Sequence, residues 1–179
     1  MGEPKHLLKT TSGRTLLQRA FDLLYHTFKP KEPIYISVAQ ESDVGSFMED
    51  NGSFATLLLD KAPNNTARSS CPATGLLAAY DSDPTSSWLV LACDYPILPT
   101  DALELVSQQY EPPVTCFRNA DGYIEPLIGK WSPTALHHLQ QNVEREKYSL
   151  ARVVEQLGGK TISLPSDSEH WLLNVNKPD

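Results

Sequence analysis

Apolar residues fall along this chain in short runs of two distinct periods. The densest is Trp88-Leu89-Val90-Leu91-Ala92-Cys93, with no polar residue inside it. An uninterrupted run of this length, bounded by turn signals, predicts a strand buried on both faces, as in the middle of a parallel sheet. The run stops at Asp94, and Pro96 and Pro99 then turn the chain away. Ligands of open α/β sheets bind outside the carboxyl ends of the strands, so Asp94 is expected at the mouth of a crevice. On these residues alone, Asp94 reads equally as a magnesium-binding carboxylate and as a strand-end acid bonded to a turn amide.

The remaining runs alternate between strand and helix. Thr15 opens a helix to about Phe28, with Leu16, Leu17, Ala20, Phe21 and Leu24 on one face. Ile34–Val38 predicts a second buried strand, Ser42-Asp43 the cap of a short helix through Met48, and Phe54–Leu59 a third strand ending at Asp60. The polar stretch from Lys61 to Ser70 reads as an exposed loop. Beyond it, Cys71-Pro72-Ala73-Thr74-Gly75 leads into a helix over Leu76–Tyr80, and Asp101 with Glu104 suggests a capping box for a helix through Gln109. Val114–Phe117 and Tyr123–Ile128 flank Asn119-Ala120-Asp121-Gly122, a hairpin signal, and Pro126 puts the second strand at an edge or a bulge. Helices opened by Ser132-Pro133 and by Ser149 follow, the latter closed by Gly158-Gly159. Two short strands, Thr161–Ser163 and Trp171–Asn176, end the pattern. The order is that of an α/β domain with a mostly parallel sheet and one antiparallel strand.

Composition narrows the function. The 179 residues suit a single domain, 1–179, and the net charge of −7 argues against a nucleic-acid surface. Cys71, Cys93 and Cys116 are widely spaced with no CxxC pair, so they read as reduced thiols rather than a zinc site. His137 and His138 point about 100° apart on a helix and cannot share a metal. With no signal peptide and no run of about 20 apolar residues, the expected location is cytosolic, away from membranes.

Four separated stretches carry a resemblance. They are Met1-Gly2-Glu3-Pro4-Lys5-His6-Leu7-Leu8, with Gly13 and Leu16-Leu17 following; Cys71-Pro72-Ala73-Thr74-Gly75-Leu76-Leu77; Ala92-Cys93-Asp94-Tyr95-Pro96; and Asn174-Val175-Asn176-Lys177-Pro178-Asp179. Together they resemble the MobA-like nucleotidyltransferases, the molybdenum cofactor guanylyltransferases, with smaller echoes at Glu125-Pro126-Leu127 and at Ser149-Leu150 with Arg152. The resemblance implies a Rossmann-like three-layer αβα sandwich, similar to the nucleotide-diphospho-sugar transferases. It also implies transfer of GMP from GTP to the phosphate of molybdopterin, with Mg²⁺ bound and pyrophosphate released. A relative using CTP or another phosphorylated acceptor is the alternative. Molybdoenzymes or other cofactor-synthesis proteins are the partners it implies.

By the same resemblance, Asp94 matches the metal-holding acid and Lys5 the lysine that neutralises the triphosphate. Asp60 matches a second nucleotide-contacting acid, Ser37 a position that contacts the base, and Gly75 a backbone approach to the ligand. Asn174 and Asn176 match the end of the strand that receives the pterin.

The chain also departs from the family pattern. The family begins with a strand and a glycine-rich loop that cradles phosphates, and this sequence starts at what looks like the end of that motif. The strand would lie between Ile34–Val38 and Leu89–Cys93, so its loss is expected to leave two strands with unpaired backbone groups. Either a start at an internal Met or a domain without catalysis, binding a partner or nothing, is then expected. Cys71 stands where the family has Gly, and the chain stops at Asp179, where relatives continue into a final helix.

Overall fold

The computed structural model describes residues 4–29, 31, 33–60 and 71–175. Two sheets form. In the first, β1 (Ile34–Val38) pairs in parallel with β2 (Ala55–Leu59). The second has the order β3-β5-β4-β6, built from β3 (Trp88–Leu91), β4 (Val114–Arg118), β5 (Ile124–Trp131) and β6 (Lys160–Ser163). β4 and β6 are parallel, and β5 runs against both β3 and β4, so β5 is the antiparallel strand that the Asp-Gly hairpin foreshadows.

Helices cover both faces. Thr15 caps α1 (Leu16–Phe28) in a reciprocal pair with Gln18, Ser132 caps α5 (Pro133–Glu144), and Ser149 caps α6 (Leu150–Gln156). Gly158 follows α6 at φ +63°, a left-handed turn that glycine adopts without strain. Before these come α2 (Gly45–Asn51), α3 (Pro72–Ser82) and α4 (Thr100–Gln108). Successive residues of β4 separate the two layers. Val114 and Cys116 pack with Ala73, Leu76, Leu136, Leu139 and Val153, whereas Phe117 packs with Leu98, Leu103, Val106 and Ile162. A third cluster joins Phe21, Ile36, Val44, Phe47 and Ala55 beside β1. The result is a three-layer αβα sandwich.

Several expectations need correction. β3 is not buried on both faces in a parallel setting. It is four residues long, half-buried at every position, and paired only with antiparallel β5 among the described strands. Burial of a strand depends on its neighbours, and one side of β3 has none in its ladder. β1 is likewise exposed at Tyr35 and Ser37. The Trp171 segment is a 3₁₀ turn over Glu169–Leu172 followed by extended chain, not a strand. α3 opens earlier than expected, with Pro72 at its first position, and α4 opens at Thr100, which places Asp101 in the first turn rather than at the cap. The stretch 61–70 and Asn176 lie outside the described residues.

Pro126 sits at a bulge, as its missing N–H requires, though β5 is an interior strand of its sheet. The register of β4 against β5 shifts between Cys116 and Phe117, and the freed Pro126 carbonyl accepts the indole N–H of fully buried Trp131 at 3.0 Å. Opposite Cys116, Gly129 lets the two strands close up: a Cβ there would stand 2.8 Å from the Cys116 Cβ and 2.9 Å from the Thr115 carbonyl oxygen. Gly129→Ala is therefore expected to cost about 2 kcal/mol of stability. Thermal unfolding followed by circular dichroism should show a Tm lower by about 4–8 °C, and an unchanged Tm contradicts this close approach.

Candidate nucleotide and metal site

The carboxyl ends of the two sheets open on one side of the molecule. α1 runs from the far end of β1 back to its start, so the first turn of α1 lies beside the carboxyl end of β1. From that turn Arg19 donates to the carbonyls of Pro96 and Leu98, at 2.6 and 2.7 Å, just past the end of β3. His6 Nε2 lies 2.7 Å from the Asp43 carbonyl oxygen beyond β1, and Lys5 is close enough to Cys93 to act on its thiol electrostatically. The segment Pro4–Leu7 thus lies across this mouth, near the ends of both sheets.

One half of the mouth centres on Asp94. Its Oδ2 accepts the Asn174 side-chain amide at 2.8 Å, and its backbone carbonyl accepts the Val175 N–H at 2.9 Å. Two contacts from one extended segment fix the Asp94 loop in place. Asp94 Oδ1 and Asn174 Oδ1 are both buried and have no hydrogen-bond partner. Each of these oxygens is costly to leave buried without a cation or a donor to satisfy it. Hard oxygen donors of this kind fit Mg²⁺, which keeps several waters and takes only one or two protein ligands. Among the described residues no group of three or more His, Cys, Asp or Glu is gathered for a metal, so any metal here would draw further ligands from water or substrate.

Around Asp94 lies a polar network that sequence reading missed. Tyr95, almost fully buried, donates its hydroxyl to Glu125 Oε2 at 2.7 Å, and Asn119 donates to Glu125 Oε1 at 2.9 Å. Burial, then the Glu125 carboxylate, push the Tyr95 phenol far above its ordinary range, so it stays a donor. Burial and the adjacent Asp94 carboxylate likewise push the Cys93 thiol up to about 11, against a smaller opposing pull from Lys5. Glu125 had a weak signal in Glu125-Pro126-Leu127. Tyr95 and Asn119 appear in the sequence only as members of a resemblance stretch and of a hairpin signal, with nothing to mark their bonds to Glu125, and Arg19 has no signal, because side chains that bond across elements follow no sequence period.

The other half centres on Asp60. Ser37 Oγ donates to Asp60 Oδ1, and Thr74 Oγ1 lies 3.1 Å from Asp60 Oδ2 and 2.6 Å from the Cys71 carbonyl oxygen. This ties β1, β2 and the first turn of α3 together. Gly75 is needed for that closeness, since a Cβ at this position would lie 3.0 Å from Ser37 Oγ. Ser37, Asp60 and Gly75 are therefore brought together, as are Asp94, Asn174 and the neighbourhood of Lys5. The two histidines stay apart, His137 beside Gln141 and His138 beside Gln156.

Comparisons with known proteins agree with this architecture. Residues 1–161 match the model of the MobA-like NTP transferase domain. A probable molybdenum cofactor guanylyltransferase of Rhodopirellula baltica is 30% identical, over 99% of this chain and 82% of that protein. One of the same description from Aquifex aeolicus is 23% identical, over 98% of this chain and 79% of its own length. A crystal structure of a protein from Aquifex aeolicus superimposes with a TM-score of 0.71 at 21% identity, covering 90% of this chain and 80% of the other. The layered fold and the matched domain lead to one conclusion: the chain belongs to the MobA-like NTP transferase family.

Proposed function

We propose that the protein is a Mg²⁺-dependent nucleotidyltransferase of the cytosol that joins GMP from GTP to the phosphate of a molybdopterin-type acceptor. The observation that carries this reading is that Asp94 Oδ1 and Asn174 Oδ1 are both buried and unpartnered, with Asp94 next in sequence to Cys93, which Lys5 influences, in a family of nucleotidyltransferases. In the reaction an acceptor phosphate oxygen attacks the α-phosphorus of GTP. A new P–O bond forms, the bond from the α-phosphorus to the bridging oxygen breaks, and the electron pair leaves with pyrophosphate. No covalent bond to the protein is needed, so positioning and electrostatics supply the acceleration.

Asp94 and Asn174 would hold the ion, and Mg²⁺ when bound supplies neutralisation of phosphate charge. Lys5 places a fixed ammonium toward the phosphates. Tyr95, held by Glu125, excludes water behind Asp94 and keeps its loop in register. Ser37 and Asp60 would offer a hydroxyl and a carboxylate to the nucleoside, and the family resemblance assigns contact with the acceptor to Asn174 and Asn176.

A non-catalytic reading rests on the split sheet: with β1 and β3 unpaired to each other among the described strands, the domain would bind a partner, or nothing, rather than a nucleotide. Mg²⁺-dependent binding of GTP, measured by calorimetry, separates the two, since the non-catalytic reading predicts none.

Asp94→Asn is expected to lower guanylyl transfer at least about 100-fold while leaving the circular dichroism spectrum unchanged; retained turnover rejects the assignment. Asn174→Ala should raise the Mg²⁺ concentration for half-maximal activity by about 10–100-fold, with a smaller effect on the KM for GTP. In competition, excess CTP should leave transfer from labelled GTP unaffected, and strong inhibition by CTP would favour the cytidylyl alternative.

A further inference from the structure

The hairpin between β4 and β5 reaches Asp94 through a chain of hydrogen bonds whose directions are all set from one end. It begins at a bond that cannot be reversed. The backbone N–H of Tyr123 donates to Asn119 Oδ1 at 2.9 Å, so the other end of that amide, Nδ2, is left to donate, and it does so to Glu125 Oε1 at 2.9 Å. A carboxylate has acceptors alone, and the second oxygen of Glu125 takes the hydroxyl proton of Tyr95 at 2.7 Å. With its proton committed, the Tyr95 oxygen is left as an acceptor. Burial and the Glu125 carboxylate push that phenol up, and a side-chain bond from Asn174 pulls the other way, as a donor to the phenol oxygen does. Asn174 Nδ2 also donates to Asp94 Oδ2 at 2.8 Å.

The bulge at Pro126 is what brings Glu125 into this chain. Cys116 lies opposite Gly129, so an unbroken ladder would set Phe117 opposite Ile128, but the register shift sets it opposite Glu125, three residues on. Side chains alternate between the faces of a strand, so a shift by an odd number moves Glu125 from the face of Cys116 to the face of Phe117. Tyr95 lies on that face, in one cluster with Phe117.

We propose that Glu125 is a positioning residue for the metal ligands: through Tyr95 it fixes which end of the Asn174 amide turns toward Asp94 Oδ2, and so leaves the Asn174 carbonyl oxygen for a divalent cation, a role that rests on the reading of Asp94 and Asn174 as ligands of Mg²⁺. The two ends of an amide exchange by a half-turn about one bond, so its partners alone determine which end is presented. Here both partners are acceptors, Asp94 Oδ2 and the Tyr95 oxygen, and Nδ2 serves them both. What remains is Asn174 Oδ1, buried without a partner, as Asp94 Oδ1 is. A hard cation takes a carbonyl oxygen and not an amide NH₂ group. In Glu125→Gln, Asn119 claims the new amide oxygen and the NH₂ group faces Tyr95. The phenol then accepts there and donates toward Asn174, which is left between a donor and an acceptor.

The test uses the full chain and needs no activity assay. In the metal-free protein, the Asn174 side-chain NH₂ protons should show NMR cross-relaxation to the Tyr95 ring, and Glu125→Gln should abolish it while leaving the circular dichroism spectrum unchanged. Glu125→Gln and Tyr95→Phe should each raise the Mn²⁺ concentration needed for half-maximal GTP binding, measured by calorimetry, by about 10–100-fold. Added to Tyr95→Phe, Glu125→Gln should weaken binding by less than about twofold further, because its effect passes through the hydroxyl. A residue that merely supports the hairpin would add its full effect. Cross-relaxation retained in Glu125→Gln, an unchanged Mn²⁺ requirement, or a full additional loss in the double variant overturns the proposal. If Glu125→Gln does not fold, an unchanged Mn²⁺ requirement in Tyr95→Phe overturns it by itself. An unaltered chain with no Mn²⁺-dependent GTP binding rejects the metal reading instead, and the loss of cross-relaxation in Glu125→Gln would then show that Glu125 still orients the amide.

Discussion

Strands are held by ladders, and among the described residues this molecule keeps two sheets without a ladder between them. What fixes their relative position is helix packing. α1 spans the cores beside β1 and beneath β3, α3 spans the opposite face, and Arg19 pins the loop beyond β3 to the first turn of α1. Everything at the carboxyl edge depends on that arrangement, because the Asp60 half of the mouth belongs to one sheet and the Asp94 half to the other. Side-chain packing is non-directional, whereas a ladder fixes register residue by residue. The distance between the halves is therefore held less tightly than the geometry within either.

Within each half the geometry is tightly specified. Ser37, Thr74 and the absent side chain at Gly75 clamp Asp60 between two strands and a helix. Asn174 and Val175 clamp Asp94 from a segment eighty residues downstream, and Glu125 anchors Tyr95 behind it. This division of labour suits a nucleotidyltransferase, in which the ligand itself spans from nucleoside to phosphates and can draw two preformed halves together. Binding energy spent on that closure is the usual route to placing a phosphorus atom in line with its acceptor.

Much of this was legible in the residues. Caps at Thr15, Ser132 and Ser149, the helical spacing behind them and the Asp-Gly hairpin all act locally, so the elements they mark are found close to where the pattern puts them. β3 shows what cannot be read. An apolar run states what a strand could bury, but its burial is decided by neighbours that lie elsewhere in the chain. The Trp171 segment failed for a related reason: apolar residues in a turn that packs on the core look like a short strand. Of the site, Asp94 stood out as the acid that ends the densest apolar run, and Asp60, Ser37, Gly75 and Lys5 came only through family resemblance. The Tyr95–Glu125–Asn119 network left almost no trace, because it joins polar residues across three elements at no fixed spacing.

The central claim is that both halves of the carboxyl edge serve a single nucleotide and its metal ion. Paramagnetic broadening of NMR signals by Mn²⁺, added in place of Mg²⁺ together with GTP, tests it directly. The account predicts that the Asn174 side-chain amide is broadened most strongly and the Gly75 backbone amide to a lesser degree, both only when nucleotide is present. Broadening confined to exposed carboxylates elsewhere, or identical with and without GTP, would contradict it.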